Sequence, residues 1–152
     1  VISMREYEMS VDNITIDLDL DEKLPPIWAD PHQLQQVLLN LVVNAHQAMK
    51  EQGGGQLTIR TFTRRNKLLI AVSDTGPGIS PEHLERIFDP FFTTKPPGEG
   101  TGMGLSVSLT IVQNHGGHIW VESEPGKGST FYFVIPMRQK MREKEVSYIK
   151  SK

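Results

Sequence analysis

Five side-chain amides recur along one stretch of this chain: Gln33, Gln36, Asn40, Asn44 and Gln47 stand three, four, four and three residues apart. At 100° per residue they form one polar, uncharged stripe on a helix. Leu34, Val37, Leu38, Leu41, Val42, Ala45, Ala48 and Met49 fill a broad apolar arc beside it, and Leu39 and Val43 flank its far side. A face turned to water is the ordinary explanation for a polar stripe, but such faces carry Glu, Lys and Arg. Amides with apolar neighbours on both sides predict a partly covered groove that offers hydrogen-bond donors and acceptors without charge.

Further along, Asp74 ends the apolar run Leu68–Ser73 and opens Asp74-Thr75-Gly76-Pro77-Gly78-Ile79. Taken alone, Asp-x-Gly is a turn in which the carboxylate caps its own backbone. Gly98, Gly100, Gly102 and Gly104 alternate just ahead of a second helical stretch, and backbone amides at a helix N-terminus suit phosphate. Met103 breaks the G-x-G-x-x-G spacing of a dinucleotide fold, and Gly126-Lys127-Gly128-Ser129 lacks the spacing of a P-loop. Phe88, Phe91 and Phe92 crowd the segment that leads into those glycines. The five histidines, His32, His46, His83, His115 and His118, show no metal-ligand spacing and read as surface or structural; only His46 lies near the stripe.

In this order, Asn40–Met49, Asp74–Ile79, Phe88–Lys95, Gly98–Leu105 and Gly126–Phe131 resemble the N, G1, F, G2 and G3 boxes of the ATP-binding catalytic domain of sensor histidine kinases. That family shares a superfamily with type II topoisomerases, Hsp90 chaperones and MutL mismatch-repair proteins. The resemblance runs from about Asn13 to Pro136 and implies ATP and Mg²⁺ as cofactors. It assigns the Asn44 carbonyl oxygen to Mg²⁺, sets Asn40 beside the same groove, and puts Gln47 where many relatives carry Lys or Arg. Asp74 would accept a hydrogen bond from the adenine amine and reject guanine, whose carbonyl would meet it acceptor to acceptor. Gly76 and Gly78 would let the backbone approach the base, Ile79 would pack near the ring, and Thr130 would bond the adenine edge directly or through water. Gly100, Thr101, Gly102, Met103, Gly104 and Leu105 belong to the lid and phosphate loop, with Lys95 as a mobile counter-charge. Phe88 is expected in the core and Phe92 at the lid beside the nucleotide, while Phe91 or Phe92 docks a partner surface or packs the lid. The catalytic set is Asn40, Asn44 and Lys95.

Asn40 separates the hypotheses. ATP-hydrolysing relatives place a glutamate one turn before the magnesium asparagine to activate water, and an amide cannot be a general base. The site is therefore expected to bind ATP and spare it from water, which suits phosphoryl transfer to another nucleophile; the resemblance implies that this is a histidine on a separate helical dimerisation domain, whose phosphoacceptor pattern this chain lacks. A response regulator would act downstream. The isolated domain is expected to be monomeric, with no nucleic-acid partner. Gly117–Pro136 and the Asn44–Met49 stretch of the first helix look most like the nitrogen-regulation type. Three alternatives stay open: an ATPase of the superfamily, a protein serine kinase of the anti-sigma type, and a nucleotide-binding docking module without catalysis.

These groups need a frame. Asn13–Asp19 alternates as a strand; Asp30 caps a helix with Pro31 at its first position, running to Glu51 before Gly53-Gly54-Gly55. Gln56–Thr63 and Lys67–Ser73 predict a hairpin, Ser80 caps a short helix to Arg86, and Asp89–Gly100 reads as a binding loop. Gly102–His115 predicts a second long helix, and Gly117–Ser123 with Thr130–Pro136 a closing hairpin. The result is an α/β two-layer sandwich, a mixed, mostly antiparallel five-stranded sheet on three helices, with the Bergerat topology supplied by the resemblance. Residues 1–12 are expected to be the end of an upstream linker or helix, 13–137 the ATP-binding domain, and 138–152 a charged tail.

The 152 residues suit one domain with its own core, and the 38% hydrophobic, 22% charged composition is globular. A formal charge of −2 gives no electrostatic reason for nucleic acid or an anionic membrane. Zero cysteines exclude disulfides and thiolate metal sites. No apolar run approaches the ~20 residues of a membrane span. The expected place is the cytoplasm, either free or as the cytoplasmic piece of a membrane-anchored sensor.

Overall fold

The computed structural model describes residues 2–20, 30–92 and 104–136. Along the described chain lie α1 (Ile2–Val11), β1 (Ile14–Asp19), α2 (Pro31–Lys50), β2 (Gly55–Arg64), β3 (Lys67–Asp74), α3 (Pro81–Leu84), α4 (Gly104–Asn114), β4 (His118–Glu124) and β5 (Gly128–Pro136). The strands form one five-stranded sheet in the order β1-β2-β3-β5-β4. β1 runs parallel to β2, and every other pairing is antiparallel. This is the mixed, mostly antiparallel two-layer sandwich that the pattern of elements predicts.

Alternation within the strands decides which residues meet the helices. Leu57 and Ile59 of β2 stand opposite Asp74 and Val72 of β3, which stand opposite Ser129 and Phe131 of β5. That face, continued by Phe133 and Ile135, packs on Val37, Leu41, Val42, Ala45 and Met49 of α2 and on Ile111 and Val112 of α4. Each large side chain so buried contributes about 1.5–3 kcal/mol. The opposite face carries Arg60, Phe62, Trp120 and Tyr132, with Trp120 stacked on Tyr132 at 5.2 Å between centroids.

The expected boundaries of α2 hold closely. Asp30 is its N-cap, accepting from the backbone N–H groups of His32 (2.9 Å) and Gln33 (3.3 Å), with Pro31 next in line. At the far end the Gly54 N–H returns to the Met49 carbonyl (3.0 Å), which closes the last turn. Between β2 and β3, Arg65 and Asn66 both take positive φ, 51° and 61°, the backbone of a two-residue hairpin turn.

Two features, both at α3, differ from expectation. Ser80 precedes α3, but its hydroxyl makes no capping bond and is buried without a partner among the described residues. Its carbonyl, accepting from His83 and Leu84, carries the first turn instead, and α3 is a single turn ending at Leu84. The first segment, read as the end of an upstream linker or helix, is helical as α1, and its Met9 is fully buried in the domain core. Next to it, the Asp12 carboxylate pairs with His46 of α2 at 2.6 Å, so this buried histidine is structural. The tail 138–152 lies outside the described residues.

Candidate functional site

Four parts of the chain border the candidate groove: the middle of α2, the end of β3 with the loop after it, the start of α4, and the connection between β4 and β5. On α2 the stripe grades from exposed Gln33 and Gln36 to half-buried Asn40, Asn44 and Gln47. Leu39 and Val43 on its far side are half-buried too, as a covered groove requires.

Asn40 is fully engaged. Its amide nitrogen donates to the Gly104 carbonyl (3.0 Å) and to the Ser108 hydroxyl (3.1 Å), and its oxygen accepts from the Gln36 amide (2.8 Å). Ser108, fully buried, in turn donates to the Gly104 carbonyl at 2.9 Å. Asn40 thus holds the first turn of α4, the helix that follows the glycine-rich segment, against α2. Its chemistry here is positional. Asn44, one turn on and half-buried, makes no side-chain hydrogen bond to another described residue.

Asp74 sits at the other wall, 7% exposed. Burial pushes its carboxyl above the ordinary value of 3.8, and the backbone N–H groups of Gly76 and Ser129 pull it part of the way back. Gly76 N–H reaches the Asp74 Oδ1 at 2.9 Å. The loop after Asp74 is tied down on every side. Gln52 donates to the Thr75 carbonyl (2.9 Å), the Thr75 hydroxyl accepts from Gln56 N–H (2.9 Å), and Gly126 N–H donates to the Pro77 carbonyl (2.7 Å). It also rests on α2: a Cβ on Gly76 would lie 3.3 Å from the Ala48 Cβ and 2.9 Å from Asp74 Oδ1. Gly78 has φ +78°, and a Cβ there would stand 2.2 Å from the Glu124 carbonyl oxygen. Both the left-handed backbone and the close approach require glycine.

The structure brings Asn40 to Gly104, the turn from Asp74 to Gly76 to α2 at Ala48, and Gly78 to Glu124; Asn44 and Gln47 continue the α2 stripe, and Ile79 and Leu105 are half-buried against the core. Thr130 is not among them. It stands opposite Ser73, its hydroxyl 2.9 Å from that of Ser73, on the sheet face away from the helices. Ser129, the neighbour opposite Asp74, is the buried hydroxyl on the groove side. Side chains alternate along a strand, so a difference of one residue exchanges the faces. Phe88 packs against the core, edge-on to Phe131 at 6.5 Å. Phe92 is half-buried under the Arg86 guanidinium (4.9 Å) and beside His83, while Phe91 is 72% exposed with a φ of 66°. Lys95, Gly98, Gly100, Thr101, Gly102 and Met103 lie outside the described residues.

Sequence reasoning missed three residues here. Ser108 carried one signal, a hydroxyl four residues after Gly104 in a helix whose other hydroxyls, Ser106 and Thr110, stand two residues to either side of it. Ser129 required counting register from Asp74. Ser123, whose hydroxyl accepts from Ile79 N–H at 2.8 Å, had no local signal.

With that geometry in hand, comparison with known proteins is informative. Residues 29–139 match the family described as histidine kinase-, DNA gyrase B-, and HSP90-like ATPase. Sporulation kinase E of Bacillus subtilis (strain 168) is 38% identical over 143 residues, which are 94% of this chain but 19% of that protein. The nucleotide-free catalytic domain of histidine kinase ThkA superposes with a TM-score of 0.79 at 37% identity, covering 90% of this chain and 88% of that one. Full-length ShkA in complex with AMPPNP superposes with a TM-score of 0.80 at 29% identity, over 90% of this chain and 28% of that chain. The chain belongs to the family of histidine kinase-, DNA gyrase B- and HSP90-like ATPases, and it has the fold of a histidine kinase catalytic domain.

Proposed function

We propose that this chain is the ATP-binding catalytic domain of a sensor histidine kinase, which holds Mg-ATP and presents its γ-phosphoryl to a histidine on a separate helical dimerisation domain. The observation that carries this reading is the bonding of Asn40. A hydrolytic site needs a base one turn before Asn44; here that position is an amide whose two hydrogens are committed to α4. Such a groove binds ATP and spares it from water, so positioning and charge neutralisation supply the catalysis.

Asp74 and Ser129 form the base end. The buried carboxylate accepts from an exocyclic amine, the feature that distinguishes adenine from guanine at that ring position. Asn44 and Gln47 face the phosphate end. Mg²⁺ fits this donor set: Asn44 offers an amide oxygen that bonds no other described residue, and among the described residues no group of three acidic, histidine or cysteine side chains forms a cage. A hard cation that keeps its waters and rides on phosphates needs only one such ligand. When bound, it would neutralise phosphate charge; the chain's own part is to fix where the triphosphate lies.

The histidine kinase ThkA has been solved in complex with the response regulator TrrA. By that likeness a response regulator would take the phosphoryl group downstream of this domain, and the cytoplasm, where ATP is held, would be its place of work. Mixing the chain with a separate histidine-bearing helical domain and labelled ATP tests the reading. Acid-labile phosphohistidine on the added domain is expected. Acid-stable phosphoserine, free phosphate alone, or no transfer would overturn it.

A further inference from the structure

The Ser123 hydroxyl stands at the junction of three segments. It accepts from the Ile79 N–H at 2.8 Å, donates to the Gly128 carbonyl at 3.0 Å, and lies 2.8 Å from the Ser129 hydroxyl. A serine hydroxyl has one hydrogen and two lone pairs. With its hydrogen on the Gly128 carbonyl, its lone pairs take the Ile79 N–H and the Ser129 O–H, so every bonding capacity is used. Ile79 and Ser123 are 44 residues apart, so this one oxygen joins the loop after Asp74 to the β4–β5 hairpin.

Its partner Ser129 is the residue whose backbone N–H steadies the Asp74 carboxylate. Behind it, Gly128 lies so close that a Cβ would sit 2.1 Å from the Asp74 carbonyl oxygen. The orientation of the Asp74 carboxylate therefore depends on where the hairpin sits; the Gly126–Pro77 bond ties the hairpin tip to the loop, and Ser123 ties the strand beside Ser129. We propose that Ser123 is a positioning residue for the base end of the groove: it touches no nucleotide, but aligns Ser129 and Ile79 with Asp74 and so sets selectivity for adenine over guanine. This rests on the nucleotide-site reading above.

The physical basis is directional. A carboxylate aimed at the adenine amine gains a charge-assisted bond, whereas guanine presents a carbonyl there and gains nothing from the aim. Loosening the aim lowers ATP affinity and leaves the poorer GTP affinity, held through the phosphates, where it was.

Ser123→Thr and Ser123→Val make the test, because both side chains branch at Cβ, suit a strand and have similar volume, and only the threonine keeps the hydroxyl. ATP and GTP affinities of the 152-residue chain are measured by calorimetry with Mg²⁺, beside the urea midpoint of each free variant. We expect Ser123→Val to weaken ATP about tenfold, the scale of one or two hydrogen bonds, with GTP unchanged, so that the ATP:GTP ratio falls tenfold. Ser123→Thr should keep the wild-type ratio and, because it retains the hydroxyl that makes the three bonds, unfold at a higher urea midpoint than the valine variant. Equal ATP affinities in the two variants, or a parallel loss of ATP and GTP in Ser123→Val, would overturn the positioning role and leave the nucleotide site standing. Failure of the wild-type chain to bind ATP would overturn both.

Discussion

Replacing Asn40 with aspartate changes one NH₂ group to an oxygen and almost nothing in shape, so its effect can be worked from the bonds that group makes. The variant loses donors to the Gly104 carbonyl and to Ser108, at 3.0 and 3.1 Å. Each bond contributes about 0.5–1.5 kcal/mol, so the loss is about 1–3 kcal/mol. Ser108 cannot repair it without cost: to donate to the new carboxylate it must release the Gly104 carbonyl it now holds at 2.9 Å. A carboxylate oxygen would also face that carbonyl, acceptor against acceptor. For a domain of this size the loss corresponds to a fall in melting temperature of about 2–12 °C. The assay is urea unfolding of the free chain, with the midpoint compared at an unchanged slope. An internal control lies in pH. Protonation returns one O–H donor, so the fold favours the protonated form of the new aspartate, and the deficit should shrink as pH falls through about 4. A midpoint equal to wild type at pH 7 would refute the claim that Asn40 clamps α4 to α2.

Other perturbations probe the two walls. Asp74→Asn should weaken ATP binding about 10- to 100-fold by calorimetry, the range for a hydrogen bond to a charged group, while leaving the free chain folded at pH 7. Because burial raises the Asp74 carboxyl above 3.8, the folded chain holds more protons than the unfolded one in that window. Wild-type stability therefore falls as pH rises from 3.8 through the raised folded value, and Asp74→Asn, which lacks the titration, should lose ground to wild type as pH is lowered. Urea midpoints at pH 4 and pH 7 check the sign. Asn44→Ala should abolish the gain in ATP affinity that Mg²⁺ gives, seen by titrating with and without the metal, with little change in metal-free binding. Gly128→Ala forces a side chain onto a backbone with φ +100° and a Cβ 2.1 Å from the Asp74 carbonyl. It should lower stability by at least about 2 kcal/mol in urea unfolding.

Much of this architecture is written in local chemistry. Asp30-Pro31 announces the start of α2 because a cap needs only its own next turn, and Asp74 is legible because it ends an apolar run before a glycine turn. The amide stripe likewise needs nothing beyond helical spacing. What escaped depends on residues far apart in the chain. The identity of Asn40 is visible, but its partners Gly104 and Ser108 lie 64 and 68 positions away, and no periodicity connects them. Ser129 rather than Thr130 faces Asp74 because of the β3–β5 register, which the sequence of neither strand states alone. Met9 and the Asp12–His46 pair attach α1 to the domain through tertiary packing that a polar, irregular segment gives no sign of. Ser80 is the opposite case, since local propensity was plain but its hydroxyl makes no capping bond.

The groove itself is most directly tested by following the backbone amide resonances of the chain as Mg-ATP is added. The account predicts saturable shifts at Asn44, Gln47, Gly76, Ile79 and Ser129, with Trp120 and Tyr132 on the far face unmoved. Saturation that moves the far face and leaves Asp74–Ile79 and Ser129 still, or no shift at millimolar nucleotide, would contradict it.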